Sequence, residues 1–158
     1  MPYYTGFNDL ENQWITEGIS SKMTDWAQEF GYYLTLKTKC QSYNSETKEH
    51  TLIEEQDNAL TTTQLRRFFG EIRRIQADFN QETDGVLMLE PKLAYAVGRS
   101  EKGKIKHFHE QLSKGLRIVC RTIDEKKIEE AEKQFNRFVM IMEAIVAYHK
   151  VKEKAASN

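Results

Sequence analysis

The histidines are the first residues to test for chemistry, and His107 and His109 are the only close pair. On a helix, residues two positions apart do not share a face, so these two imidazoles cannot hold one metal ion without ligands from elsewhere in the chain. His50, His149 or Cys120 could supply one. The chain carries no nucleophile elbow, P-loop, dinucleotide fingerprint or zinc-protease motif. We therefore expect no catalytic residue, no metal site and no cofactor.

Four arginines offer a different chemistry, the binding of phosphate. At roughly 100° per residue, Arg66 and Arg73 form one column on a helix and Arg67 and Arg74 a second, with Gly70 between them. Arginine suits phosphate because its planar guanidinium is always charged and donates paired hydrogen bonds. A phosphodiester chain could approach closely along the bare backbone at Gly70. The same spacing also fits a solubilising helix face, and spacing alone does not decide between the two.

A second basic group follows the arginines in the chain. A lysine-rich segment is common on any protein surface, so this group matters for phosphate only if it lies beside the arginine columns. Tyr95 could stack on a base or a sugar, although such a tyrosine more often packs in the bundle. The candidate phosphate contacts in this group are Lys92, Arg99, Lys102, Lys104 and Lys106, with Arg117 and Arg121 further on, and Tyr95 is the candidate stacking residue.

The charge distribution supports a local polyanion-binding patch. The 158-residue chain has a net charge of only −1. By segment, however, residues 1–60 carry −6, residues 61–91 carry −1, residues 92–121 carry +6, and residues 122–158 are neutral. The near-zero net charge therefore conceals an acidic N-terminal segment and a basic central segment. Because a polyanion meets the local patch rather than the average charge, nucleic acid is not excluded as a partner.

The arginines need a helix to position them, and the surrounding sequence predicts one. Thr61 and Gln64 have the spacing of a capping box, in which each side chain satisfies a backbone N–H of the other residue. Apolar residues then recur at intervals of three and four, which places them on one side of a helix. They are Leu65, Phe68, Phe69, Ile72, Ile75 and Phe79. We expect this helix to end near Phe79 or Asn80.

The next stretch contains the chain's second proline, Pro91. A turn over residues 81–85 and a short apolar segment precede it, and Pro91 suits the first turn of a new helix that Gly98 would end in a left-handed cap. A single helix kinked at Pro91 is the alternative, and we favour the break. Residues 100–104 then form a short basic loop.

Apolar spacing predicts three further helices. The first begins at Ser20 or Ser21 and reaches about Leu36. The second runs from Ile105 to about Arg121. A second capping box, Thr122 with Glu125, starts the third, which is about thirty residues long.

These elements predict an all-α fold, a compact bundle of about five or six helices with an N-terminal extension. No strand alternation of convincing length is present. We expect residues 1–17 to form a loosely ordered N-terminal arm and residues 18–155 to form a single domain. Within it, the polar residues 37–60 read as a linker-like segment, with a short helical turn conceivable near its end. Residues 156–158 should fray.

Location follows from the cysteines and from two missing signals. Cys40 and Cys120 lie far apart, without metal-type spacing, and indicate free thiols in a reducing cytoplasm. The N-terminus lacks the basic start and apolar run of a secretory signal. No window approaches the roughly 18 apolar residues of a membrane span. We expect a cytoplasmic protein that has no membrane partner.

Two stretches, TTTQLRRFFGEIRRI and the later LMLEPKLAYAVGR, carry a family resemblance. Together they resemble the small helical subunit of type III-A (Csm-type) CRISPR–Cas effector complexes. The shared pattern is a capped Thr-x-x-Gln-Leu-Arg helix, then Pro-Lys-Leu-Ala-Tyr, then Gly-Arg with basic residues. The resemblance covers roughly residues 61–148, and the first 55 or so residues match no part of it.

The resemblance implies an all-helical, non-catalytic subunit that stacks with copies of itself. It implies a filament along the crRNA–target RNA duplex, beside other subunits of the ribonucleoprotein, with contacts to the sugar-phosphate chain that do not depend on sequence. The hypothesis is an RNA-binding and scaffolding subunit, and the alternative is a helical adaptor that bridges protein partners without binding nucleic acid. The positions that match the family pattern are Arg66, Arg67, Arg73, Arg74, Lys92, Tyr95 and Arg99.

Overall fold

Six α-helices and one antiparallel hairpin make up the described part of the chain. The computed structural model describes residues 9–35, 38–44, 46, 49–56, 60–100 and 103–156, with only the backbone described for 38–44, 49–56, 96–100, 103 and 156. In chain order the elements are α1 (Asn12–Thr16), α2 (Ser21–Leu34), β1 (Thr38–Asn44), β2 (Glu49–Gln56), α3 (Thr62–Ala77), α4 (Thr83–Ser100), α5 (Gly103–Asp124) and α6 (Ile128–Ala156).

Helix α6 lies at the centre of the bundle, in contact with α1, α2, α3 and α5. Its long apolar pattern explains this position, because a helix with apolar residues on several sides must be covered by several neighbours. The side chains that it buries completely include Phe135, Phe138, Met142 and Ile145. The predicted all-α bundle of about five or six helices is confirmed.

Helix α3 begins as the capping box predicts. The Thr61 hydroxyl accepts a hydrogen bond from the Gln64 amide at 3.1 Å, and Gln64 Oε1 accepts one from the Thr61 amide at 2.9 Å. The helix ends at Ala77, and a short 3₁₀ turn then buries Phe79. The predicted apolar side faces the core; its fully buried members are Leu65, Ile72 and Ile75, and Phe68 and Phe69 are partly buried.

The predicted break at Pro91 is wrong, because α4 runs through it as one helix to Ser100. Proline leaves the carbonyl of Leu87 without its intrahelical donor. Pro91 and Leu87 are both exposed, so water can bond that carbonyl, while buried Leu89 and Leu93 hold the helix on either side. The predicted left-handed cap at Gly98 is also wrong, since this residue lies within the helix.

The predicted capping box at Thr122 and Glu125 is wrong as well. The Thr122 hydroxyl donates to the carbonyl of Ile118 at 3.0 Å, four residues back, and α5 continues to Asp124. Lys126, at φ 64°, then turns the chain in the left-handed conformation before α6 starts. A threonine can bond backward within a helix as readily as it caps one, and the sequence does not distinguish the two uses.

Helix α1 occupies part of the segment for which a loosely ordered arm was expected. Trp14 and Ile15 are buried in the core. Arg137 donates through Nη1 to the carbonyls of Ile15 and Thr16 at 2.9 and 3.0 Å, which satisfies the C-terminal end of this short helix. Five residues are too few to show periodicity, so tertiary contacts decide the structure here. Residues 1–8 lie outside the described part of the chain.

The hairpin replaces most of the predicted linker-like segment. β1 pairs with β2 in antiparallel register, from Thr38 opposite Gln56 to Asn44 opposite Glu49, with an irregularity after Cys40. The two strands hydrogen-bond through their backbones, which needs no apolar alternation, so a polar sequence conceals them. The helical turn considered near the end of this segment is excluded up to Gln56, which belongs to β2.

Candidate nucleic-acid interface

The four arginines of α3 lie on its exposed side, as the helical spacing predicts. Gly70 lies between them, and a Cβ atom built at this residue would have no neighbour within 4 Å among the described residues. The bare backbone strip is therefore open to any approaching group. With Glu71 as the only acid between Thr62 and Ala77, the helix carries a net charge of +3.

Arg74 belongs to a network of ion pairs that joins α3 to α4. Its guanidinium lies 2.9 Å from a carboxylate oxygen of Glu71 and 2.8 Å from one of Glu82. Lys92 reaches the same Glu71 oxygen at 3.0 Å. These two cations hold the pKa of Glu71 at about 2 through side-chain hydrogen bonds. Arg74 and Lys92 therefore hold two helices together, and their charges are partly neutralised.

Arg66 and Arg67 have no acidic partner among the described residues. Arg73 lies over the ring of Phe69, 5.4 Å from its centroid, and donates to the Gln76 amide oxygen at 3.1 Å. Neither contact neutralises its charge. Arg66, Arg67 and Arg73, called here the arginine face, are thus the three cations of α3 that remain available to an anion.

Only part of the second basic group is placed beside the arginine face. Lys92 lies near it, since its ammonium pairs with Glu71 of α3 and the residue lines the same groove as Arg67. Tyr95 lies on α4 with 70% of its surface exposed, and Lys106 is exposed on α5. Arg99 lies in residues 96–100 of α4, for which only the backbone is described. Lys102 lies outside the described residues.

Lys104 corrects the sequence prediction, because it is not a surface contact. The residue is in the first turn of α5 and only 4% exposed. Its Nζ lies 3.4 Å from the centroid of the Tyr33 ring, and the Tyr33 hydroxyl in turn hydrogen-bonds Nδ1 of His107. Burial lowers the pKa of Lys104 to about 8 from its ordinary value of 10.5. The Lys104 side chain therefore packs over the tyrosine ring at the α2–α5 junction and does not face solvent.

Lys104→Met should remove a pH dependence of stability. The folded chain loses the Lys104 proton near pH 8 and the unfolded chain near 10.5. The unfolded chain therefore binds more protons in between, and the free energy of unfolding should rise as the pH is raised above about 8. Urea unfolding at pH 7.5, 8.5 and 9 would measure this. Over this pH interval, the free energy of unfolding should increase more for the wild type than for Lys104→Met. Equal increases would contradict the assignment of this pH dependence to Lys104.

A groove of about 610 Å³ lies next to the arginine face, between α3, α4 and α5. No sequence motif predicts this groove, because most of its lining residues lie on three separate helices that come together only in the tertiary fold. Its floor is apolar and its rim is polar. The floor residues are Leu60, Leu65, Phe68, Leu89, Leu93, Ile105 and Phe108, and the rim residues are Thr63, Gln64, Arg67, Glu71 and Lys92.

The histidines whose side chains are described, and Cys120, show no arrangement for metal chemistry. Within the described residues, no group of three or more histidine, cysteine, aspartate or glutamate side chains could hold a metal ion. Burial raises the pKa of the Cys120 thiol to about 11, which makes it a poor nucleophile. His149 is buried and hydrogen-bonds the Leu60 carbonyl through Nε2 at 2.6 Å, which is a structural role.

Fold and surface together define a class: a small all-α subunit that carries a cationic helix face. The family model described as Csm2 Type III-A matches residues 37–155, so the chain belongs to that family, the small subunits of type III-A CRISPR effector complexes. Searches of curated proteins and of solved structures each returned no significant match. No helix in the described residues is long and apolar enough to cross a membrane. Helices α1 and α2 precede the matched range.

Proposed function

We propose that this small subunit binds the sugar-phosphate backbone of the crRNA–target RNA duplex without regard to sequence and performs no catalysis. In this role it scaffolds the effector complex in the cytoplasm, in contact with other subunits and with copies of itself. Family membership supports a place in the complex. The RNA contact itself is supported by the surface of α3.

The observation that carries the proposal is the unneutralised arginine face beside Gly70. A glycine inside a helix costs about 1 kcal/mol relative to alanine. No described residue packs against Gly70, so the packing in the described part of the subunit gives no reason for a glycine here. Close approach of a ligand backbone would explain the glycine, because a residue without a side chain lets phosphate oxygens reach between the flanking guanidinium groups.

Contact with other subunits is supported by a different surface. Leu87, Met88 and Tyr95 are large apolar or aromatic side chains that α4 exposes, and Pro91 lies among them. Exposed apolar side chains that cluster on one helix are typical of protein contact sites. This surface also fits an adaptor that binds only proteins, so RNA binding must be tested directly.

Titration of the purified subunit with two unrelated RNAs over a range of salt concentrations tests the proposal. Because the arginine face offers charge and no base-specific contact, we expect similar Kd values for the two sequences. Each neutralised phosphate contributes a slope of about 0.7 to 0.9 in log K against log salt, so three arginines predict a slope of roughly −2 to −3. Strong preference for one sequence would contradict the proposal. Oligomerisation without RNA binding at low salt would favour the adaptor.

A further inference from the structure

The groove beside the arginine face has an aromatic group in its apolar floor. Phe68 is partly buried, and its ring meets Phe108 edge-on, 5.8 Å between centroids with an interplanar angle of 78°. Edge-on packing against a buried partner fixes the orientation of the Phe68 ring. The remaining floor residues, such as Leu89 and Leu93, are fully or almost fully buried, which makes the floor rigid.

The outer wall of the groove is formed by α4, which contributes Leu89, Lys92 and Leu93 to the lining. At roughly 100° per residue, Lys92 falls between the groove-lining side of α4 and the stripe that holds Met88 and Tyr95. Tyr95 therefore lies outside the lining of the groove, on the side of Lys92 away from the floor, and is exposed. Aromatic rings interleaved with cations are the pattern with which proteins hold single-stranded nucleic acid.

The opposite wall is formed by the first turns of α3 and offers hydrogen-bonding groups and a cation. Gln64 uses Oε1 in the capping box, which leaves its Nε2 amide protons for a ligand. Thr63 is exposed on the rim. Arg67 belongs both to this rim and to the arginine face. A phosphate at Arg67 would thus lie directly at the mouth of the groove.

We propose that this groove takes an unpaired nucleobase from the RNA strand whose phosphates meet the arginine face. The proposal rests on the proposed function, and it adds that unpaired nucleotides bind better than an abasic backbone of equal charge. Charge complementarity favours this occupant, because Arg67 on the rim has no acidic partner among the described residues and suits a ligand that is anionic outside and apolar inside. The Glu71 carboxylate on the same rim is already paired with Arg74 and Lys92. A flat base also matches a floor that carries an aromatic ring. The rim groups are too few to select one base.

Blocking the groove tests the proposal without disturbing the core. Thr63→Trp places a large side chain on the rim, and Ala77→Trp adds the same side chain to α3 at an exposed position outside the groove. The ligands are a 20-nucleotide single-stranded RNA and the same oligomer with abasic ribose at its central positions. For the wild type and Ala77→Trp, the abasic RNA should bind about tenfold more weakly, because base–aromatic stacking is lost. For Thr63→Trp, the intact RNA should bind as weakly as the abasic one.

Tyr95→Ala provides a second variant in case the tryptophan disturbs the capping box, because Tyr95 is an exposed residue of α4. It should also reduce the preference for intact over abasic RNA. Equal wild-type affinity for the two RNAs would overturn the groove assignment and leave backbone binding standing. Absence of RNA binding at low salt would overturn both proposals. Unchanged RNA binding by Thr63→Trp, with loss of association with protein subunits, would assign the groove to a protein side chain and overturn the nucleobase.

Discussion

Reversal of two charges on the arginine face, Arg66→Glu with Arg67→Glu, should weaken RNA binding on the order of a hundredfold. Each arginine can make a charge-assisted hydrogen bond to phosphate, which contributes about 1.5 to 3 kcal/mol, and loss of two such bonds at the lower value corresponds to that factor. The glutamates add repulsion from the phosphates. Fluorescence anisotropy with two unrelated RNAs at 100 mM salt measures the effect, and both affinities should fall by the same factor.

The fold should survive this double substitution, since neither arginine has an acidic partner in the described structure and both are exposed. Arg74 is excluded from the test because its loss would also break its ion pairs with Glu71 and with Glu82, which lies just before α4. Lys133→Glu with Lys150→Glu makes a matched control on the exposed side of α6, with the same change in net charge. This control should change affinity by less than about threefold. Equal losses in the two double variants would show that only net charge matters.

Phe30→Ala should reduce the free energy of unfolding by about 3 to 5 kcal/mol, although α2 lies outside the range that the family model matches. The Phe30 ring is fully buried and stacks on Trp26, 5.0 Å between centroids, and on Tyr33, at 6.3 Å. Truncation leaves a cavity between helices that α6 holds together. Urea unfolding followed by circular dichroism measures the loss, and the melting temperature should fall by roughly 2 to 4 °C per kcal/mol.

Two variants calibrate this result. Phe135→Ala removes a fully buried ring of α6, within the matched range, and should cost a similar amount. Glu29→Ala changes the neighbouring exposed position of α2 and should stay within about 0.5 kcal/mol. A loss at Phe30 as small as that at Glu29 would mean that α2 is dispensable to the core. The expected result would make α2 part of the domain and not an appended segment.

The positions of the helices were predictable wherever local interactions decide them. The Thr61–Gln64 capping box and the apolar spacing after it set the start, the buried side and the exposed arginines of α3. The pattern of α6 likewise predicted a helix of about thirty residues, and α6 spans 29. Helix propensity, capping and amphipathicity act over a few residues, so they can be read directly from the chain.

The candidate site was predictable only in part. Helical spacing placed the four arginines together on one face, but it could not show that Arg74 pairs with Glu82, which lies beyond the end of α3. Lys104 looked like any lysine in a basic segment, and only the packing of α2 against α5 buries it under Tyr33. A charged side chain is available to a ligand only if no neighbouring residue neutralises or buries it. Those neighbours come from distant parts of the chain, so they are known only from the tertiary fold.

The sequence by itself determined an all-α bundle, the arginine side of α3 and, through its motifs, the family. The tertiary structure alone decided the features that depend on distant partners. Gly31 illustrates the difference: in the sequence it only weakens α2, yet a Cβ there would lie 2.9 Å from the Ile145 carbonyl oxygen of α6. The hairpin, the docking of α1 and the groove are of the same kind. Local free energies can be read along the chain, whereas close packing and charge neutralisation arise only when distant residues meet.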